Sequence, residues 1–140
     1  MATVQPVITQ VLGAHSLDGW QVVWGPMHNG DVGAAVGTTI GFSTGAMPAP
    51  GGGMAAGFAD KTIQVTGTFG AGGNLQCQGS NDAGANWFLL NDPFNNPLNL
   101  SSPVLKEITE AVIWVRPAVT AGDGTTSITV TMFLRKTNVP

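Results

Sequence analysis

The sequence predicts an all-β fold, an antiparallel jelly-roll-like sandwich or barrel, and three observations lead there. Short runs of Val, Ile, Thr and Phe alternate apolar with polar residues. Turn signals recur at a spacing of about 8–12 residues. The 20 glycines are scattered as punctuation, with no collagen-like period. At 140 residues the chain fits a single domain, residues 1–140, because two separate cores would each be too small to offset chain entropy.

The first 60 residues contain no Lys or Arg, and half of the glycines fall between Gly25 and Gly57. This region reads as irregular, with residues 1–12 as an N-terminal arm and residues 43–59 as a long Gly/Pro-rich loop or arm. Within it, Gly19 to Trp24 is a strand that places Trp20, Val22 and Trp24 on one face. Val32 to Phe42 adds one or two short strands.

From Asp60 the alternation sharpens. Ile63, Val65 and Phe69 share one face, and Thr62, Gln64, Thr66 and Thr68 the other. Gly70 to Gly73 supplies a tight reversal, so this strand is expected to form a hairpin with Leu75 and Cys77, whose side chains continue inward. Ser80 to Gly84 forms a second turn into an aromatic strand, Trp87 to Leu90, which Asn91-Asp92-Pro93 ends. Ser102-Pro103 ahead of Val104 to Glu110 has a cap residue, a proline at the first helical position and acidic residues, the pattern of one helical turn. Val112 to Val119 is a strand whose Pro117 implies an edge or a bulge. Ala121 to Gly124 reverses the chain into Ser127 to Arg135, where Ile128, Val130, Met132 and Leu134 mark a core strand.

Only 9% of residues are charged, against roughly 25% in an average soluble domain. A surface so poor in charge suits a subunit largely covered by partners. The net charge of −3 gives no basic footprint for nucleic acid. No run approaches the roughly 20 apolar residues of a membrane span, and the start lacks the charged and apolar regions of a signal peptide. The chain is expected to be soluble and made in the cytoplasm.

The chemistry-bearing residues are few, so no enzyme is expected. His15 and His28 have no acidic partner at a metal or triad spacing. Cys77 alternates toward the core and reads as a small hydrophobe rather than a nucleophile. Asp82, Asp92 and Asp123 each sit in a turn, where carboxylates bond nearby backbone N–H groups. The glycine runs lack the context of phosphate-binding loops. No catalytic residue, metal site or cofactor is expected. Trp20, Trp24, Trp87 and Trp114 fill the core or an interface, with sugar stacking the competing role.

Gly67-Thr68-Phe69-Gly70, Gln78-Gly79-Ser80-Asn81-Asp82 with Trp87, Leu90-Asn91-Asp92-Pro93, Trp114-Val115-Arg116-Pro117 and Gly122 to Thr126 occur in that order over residues 60–136. Together they resemble the capsid cement and decoration proteins of tailed bacteriophages. The resemblance implies a β-barrel or jelly-roll virion protein on the outer capsid surface, a homodimer or homotrimer that bridges capsomers of the major capsid protein and stabilises the shell against DNA pressure. Expected interface residues are Trp20, Trp24, Met47, Pro48, Pro50, Met54 and Phe58. A tail or baseplate component, or a carbohydrate-binding jelly-roll module, are the alternatives.

Overall fold

A computed structural model describes residues 2–12, 17–37 and 60–135. The expected arm at 43–59, with Met47, Pro48, Pro50, Met54 and Phe58, lies outside the described residues, as does His15. Among the described residues twelve strands are formed: β1 (Thr3–Val4), β2 (Val7–Leu12), β3 (Leu17–Met27), β4 (Val32–Gly33), β5 (Val36–Gly37), β6 (Asp60–Thr68), β7 (Asn74–Ser80), β8 (Phe88–Leu89), β9 (Asn99–Leu100), β10 (Val104–Ile108), β11 (Trp114–Ala121) and β12 (Ser127–Arg135). They build two mainly antiparallel sheets. One has five strands in the order β10-β6-β12-β3-β2; the other runs β1-β4-β11-β7-β8, with β5 beside β11 and β9 beside β7.

The sheets pack face to face as a β-sandwich. One hydrophobic cluster joins Trp20, Val22, Trp24, Ile63, Val65, Ile128, Val130, Met132 and Leu134 of the five-stranded sheet to Leu75, Cys77, Val115 and Val119 of the other. The period-two phase read from sequence holds: Ile128, Val130, Met132 and Leu134 are all fully buried. Leu75 and Cys77 face inward as expected, whereas Trp87 falls outside the two-residue strand β8.

Four expectations are corrected. Residues 2–12 are not a free arm: β1 pairs in parallel with β4 and β2 pairs with β3, so both are edge strands of this sandwich. The segment after Pro103 is β10 rather than a helical turn. Its alternation, with Ile108 buried and Leu105 exposed, matches a strand, and pairing along β6 from Val104↔Val65 to Ile108↔Lys61 overrides the local helix-start signal.

The turn at Gly70–Gly73 does not close a hairpin. β6 lies in the five-stranded sheet and β7 in the other, so the turn carries the chain across the sandwich. The β11–β12 turn crosses in the same way, and side chains staple the two crossings together. Asp123 accepts from the Ala71 N–H at 2.9 Å, and the buried Thr126 hydroxyl donates to the Phe69 carbonyl at 2.7 Å. Gly70 has φ +74°, and a Cβ there would run into the Asp123 carboxylate and Thr126 hydroxyl, so this position requires glycine.

Pro117 lies inside a sheet, not at an edge or bulge. The Val119 N–H points to Asp31 of the β4 side, so the Pro117 nitrogen two residues earlier faces that side too. There β11 pairs with β5 at Trp114–Val115 and with β4 at Ala118. The gap between these short strands is where a residue without an N–H costs no ladder bond.

Candidate functional site

The alternation that buries one face of the five-stranded sheet exposes the other, and strand register assembles that outer face from distant positions. Val7 pairs with Val23, Val23 with Thr131, Thr131 with Gln64, and Gln64 with Leu105. One row thus crosses all five strands. The next row is Thr9, Gln21, Phe133, Thr62 and Glu107. Of these ten residues only Glu107 carries a charge. The first row ends in exposed apolar side chains on opposite edges, Val7 at 68% and Leu105 at 63% exposure, and the second ends in Thr9 and Glu107. Leu105 and Phe133 line a shallow groove floored by Gln21, Thr62, Gln64 and Thr131.

The apolar surface continues around the β10 edge. Asp92 is 3% exposed and holds a tight turn by accepting from the Phe94 and Asn96 N–H groups, both at 2.9 Å, with Lys106 3.7 Å away. These bonds, led by the one from Asn96, lower its pKa and keep it a carboxylate. Asn95 takes the left-handed conformation at φ 64°, which Asn tolerates. The turn thereby holds Phe94 out at 85% exposure, in a groove shared with Leu105. Phe88 at 69% and Leu89 at 36% are exposed apolar side chains on β8 of the other sheet.

The candidate reactive groups are occupied by structural bonds. Asp82 accepts from the Asn86 amide side chain (2.7 Å), the Asn86 N–H (3.0 Å) and the Ser80 hydroxyl (2.7 Å), which together hold its pKa at about 2. Asp123 is held at about 2 chiefly by the Thr125 hydroxyl and the Ala71 N–H. Burial pushes the Cys77 thiol up to about 12. His28 is exposed in a turn organised by Asp31, which accepts the His28 N–H at 2.8 Å. Among the described residues no three His, Cys, Asp or Glu side chains group as metal ligands would.

Trp20 and Trp24, expected at an interface, belong to the core of this chain. They are 8% and 0% exposed, and the Trp24 indole N–H donates to the Ala34 carbonyl at 2.9 Å. Trp87 is half-buried, with the Arg116 guanidinium 4.1 Å from its ring centroid, so one face is already taken.

Sequence reasoning missed Lys61, which is 1% exposed in the inward row Trp20–Leu134–Lys61–Ile108. The signal was present: Lys61 has the same alternation phase as Ile63 and Val65. It also missed Glu110, which accepts from both the backbone N–H and the side-chain amide of Asn91 at 2.8 Å.

No protein-family model, curated protein or solved structure matches the chain.

Proposed function

We propose that this sandwich is a non-catalytic docking subunit, a capsid decoration protein that lies on the outer surface of a phage shell and cements adjacent capsomers of the major capsid protein. The observation that supports this is the outer face of the five-stranded sheet. A solvent-facing sheet surface ordinarily carries mixed charge for solubility. Here the two central rows offer Thr, Gln, Val and Phe with Glu107 as their one charge, and the Asp60–Arg135 ion pair stands in the row beyond them.

Neutral Thr and Gln cost little to desolvate if the partner supplies hydrogen bonds, and Val7, Leu105 and Phe94 add apolar area. Five strands spaced about 4.8 Å apart separate the edge strands by about 19 Å. Each edge can therefore touch a different neighbour. With strand segments of about 17 Å, the face covers roughly 400 Å², half of the roughly 800 Å² per partner in a standard stable interface. One such contact is weak. A decoration protein works through many copies, each adding binding free energy that must be lost before capsomers separate.

The test is co-sedimentation of purified protein with assembled shells of the major capsid protein, using Val7→Lys and Leu105→Lys. Both side chains are largely exposed, so the variants keep the fold. Retention of the wild type and loss of the double variant is expected. Equal retention of both, or no retention of the wild type, overturns the reading.

A further inference from the structure

Where β7 meets β8 the sandwich holds another recess, separate from the outer face of the five-stranded sheet. Phe88 pairs with Gly79 across these strands and stands 69% exposed at the rim. Glycine at 79 lets the recess close: a Cβ there would lie 2.8 Å from Leu90 and 2.9 Å from Val112, which form an apolar floor. The cavity measures about 350 Å³. That is near the lower end of the roughly 300–1,000 Å³ of small-molecule sites and suits a single-ring ligand.

Asn81, Asp82, Asn86 and Glu110 line the same cavity, and their hydrogen-bonding capacity is only partly used. Asp82 accepts from Ser80 Oγ and from the backbone N–H and Nδ2 of Asn86, which leaves one of the roughly four acceptor positions of a carboxylate. Glu110 accepts only the two bonds from Asn91, so each of its oxygens can take another. Asn81 accepts the Ile113 N–H on Oδ1 at 2.9 Å, and its Nδ2 has no partner among the described residues. The same holds for Oδ1 of Asn86, whose Nδ2 donates to Asp82. The existing bonds hold these side chains in place. What they leave is one amide donor and several acceptors beside an open aromatic ring.

This combination selects a class of ligand. The Phe88 ring and the Leu90–Val112 floor call for a ligand with an apolar side. Hydroxyl groups both donate and accept, so one set of them can satisfy the carboxylates and the Asn81 amide together. An ammonium ligand only donates and leaves that amide unmatched. An anionic ligand meets the Asp82 and Glu110 carboxylates at close range.

We propose that this recess binds a neutral pyranose sugar, with one ring stacked on Phe88 and its hydroxyl groups on Asn81, Asp82, Asn86 and Glu110. The stacking role that residue type suggests for tryptophan falls here to a phenylalanine. Trp20 and Trp24 are buried, and the Trp87 ring already carries the Arg116 guanidinium over one face. The site does not depend on capsid binding, since Val7 and Leu105 belong to the opposite sheet.

The experiment is an NMR titration of the nitrogen-15-labelled full-length chain with methyl α-glucopyranoside, methyl α-mannopyranoside and methyl β-galactopyranoside. Each is added to about 50 mM, well above the Kd on the order of 1 mM that a ligand of this size reaches. Saturable shifts of the Asn81 and Asn86 side-chain amides and of the β8 N–H groups are expected with at least one of the three. Glucuronate and choline, the anionic and cationic probes, are expected to leave these signals in place. Phe88→Ala, at an exposed position, is expected to keep a dispersed spectrum and bind about tenfold more weakly. Phe88→Trp is expected to bind at least as tightly as the wild type. The Val7→Lys/Leu105→Lys variant is expected to bind the glycoside unchanged, so this result and co-sedimentation with shells are read separately. Absence of shifts with all three glycosides overturns the proposal. So does undiminished binding by Phe88→Ala, saturation by choline or glucuronate, or a set of shifts that maps to Trp87 and Arg116 instead.

Discussion

The two sheet-crossing turns lean on one hydroxyl, and replacing Thr126 with valine isolates its contribution. Thr126 is 1% exposed. Its Oγ1 donates to the Phe69 carbonyl at 2.7 Å and accepts from the Asp123 N–H at 2.9 Å. Valine keeps the branched shape, so Thr126→Val opens no cavity and removes only these two bonds. Leaving the Phe69 carbonyl unsatisfied costs about 1–3 kcal/mol and losing the second bond about 1 kcal/mol, a total of about 2–4 kcal/mol. With an unfolding entropy of about 0.3 kcal/mol/K for a chain of this length, Tm falls by about 7–14 °C. Thr126→Ser supplies the control, since it keeps the hydroxyl and loses one methyl, worth about 0.8 kcal/mol. Urea and thermal unfolding followed by circular dichroism should order the three proteins wild type, Ser, Val. A valine variant as stable as the serine variant would refute the claim that hydrogen bonding, rather than packing, joins the two crossings.

Two further predictions follow from the titratable groups. Asp82 and Asp123 have folded pKa values of about 2, below the value of about 3.9 for an unfolded Asp. Their stabilising contribution is present above the unfolded pKa and is lost as pH falls from about 4 through about 2. Urea midpoints measured across that range should decline, and the decline should be shallower in a Ser80→Ala/Thr125→Ala variant, which lacks two of the bonds that lower these pKa values. Cys77, fully buried with its thiol pushed up to about 12, should resist a thiol-specific reagent at pH 8 in the folded protein and react at once in denaturant. Rapid labelling of the native chain would contradict the inward phase of β7.

Much of this architecture was legible because alternation fixes which face a side chain occupies. Ile63 and Val65, Leu75 and Cys77, and the four inward residues of β12 were all placed by phase alone. Alternation does not name the partner strand. Gly70 to Gly73 suits a hairpin and a crossing between sheets equally, and the choice was made by Asp123 and Thr126, more than 50 residues away. Pro117 failed as an edge marker for a related reason, since a gap between two short strands accommodates a missing N–H as well as an edge does. At Ser102-Pro103 the local helix-start signal was real, but five paired positions along β6 outweighed it.

The candidate surface was harder to read than the core because its information is spread over the chain. Val7, Val23, Gln64, Leu105 and Thr131 give no motif when read in order, and each alone is an ordinary strand residue. Register alone brings them into one row, and the near absence of charge becomes meaningful only once the row exists. The same holds inside the sandwich. Lys61 could be assigned to the inward face from its phase with Ile63, whereas the bonds between Glu110 and Asn91 form only because the residues after β10 run beside Asn91. Residue type therefore acquires its meaning in this chain only after topology has chosen the neighbours, which is why a run of ordinary strand residues becomes a surface only when five strands are laid side by side.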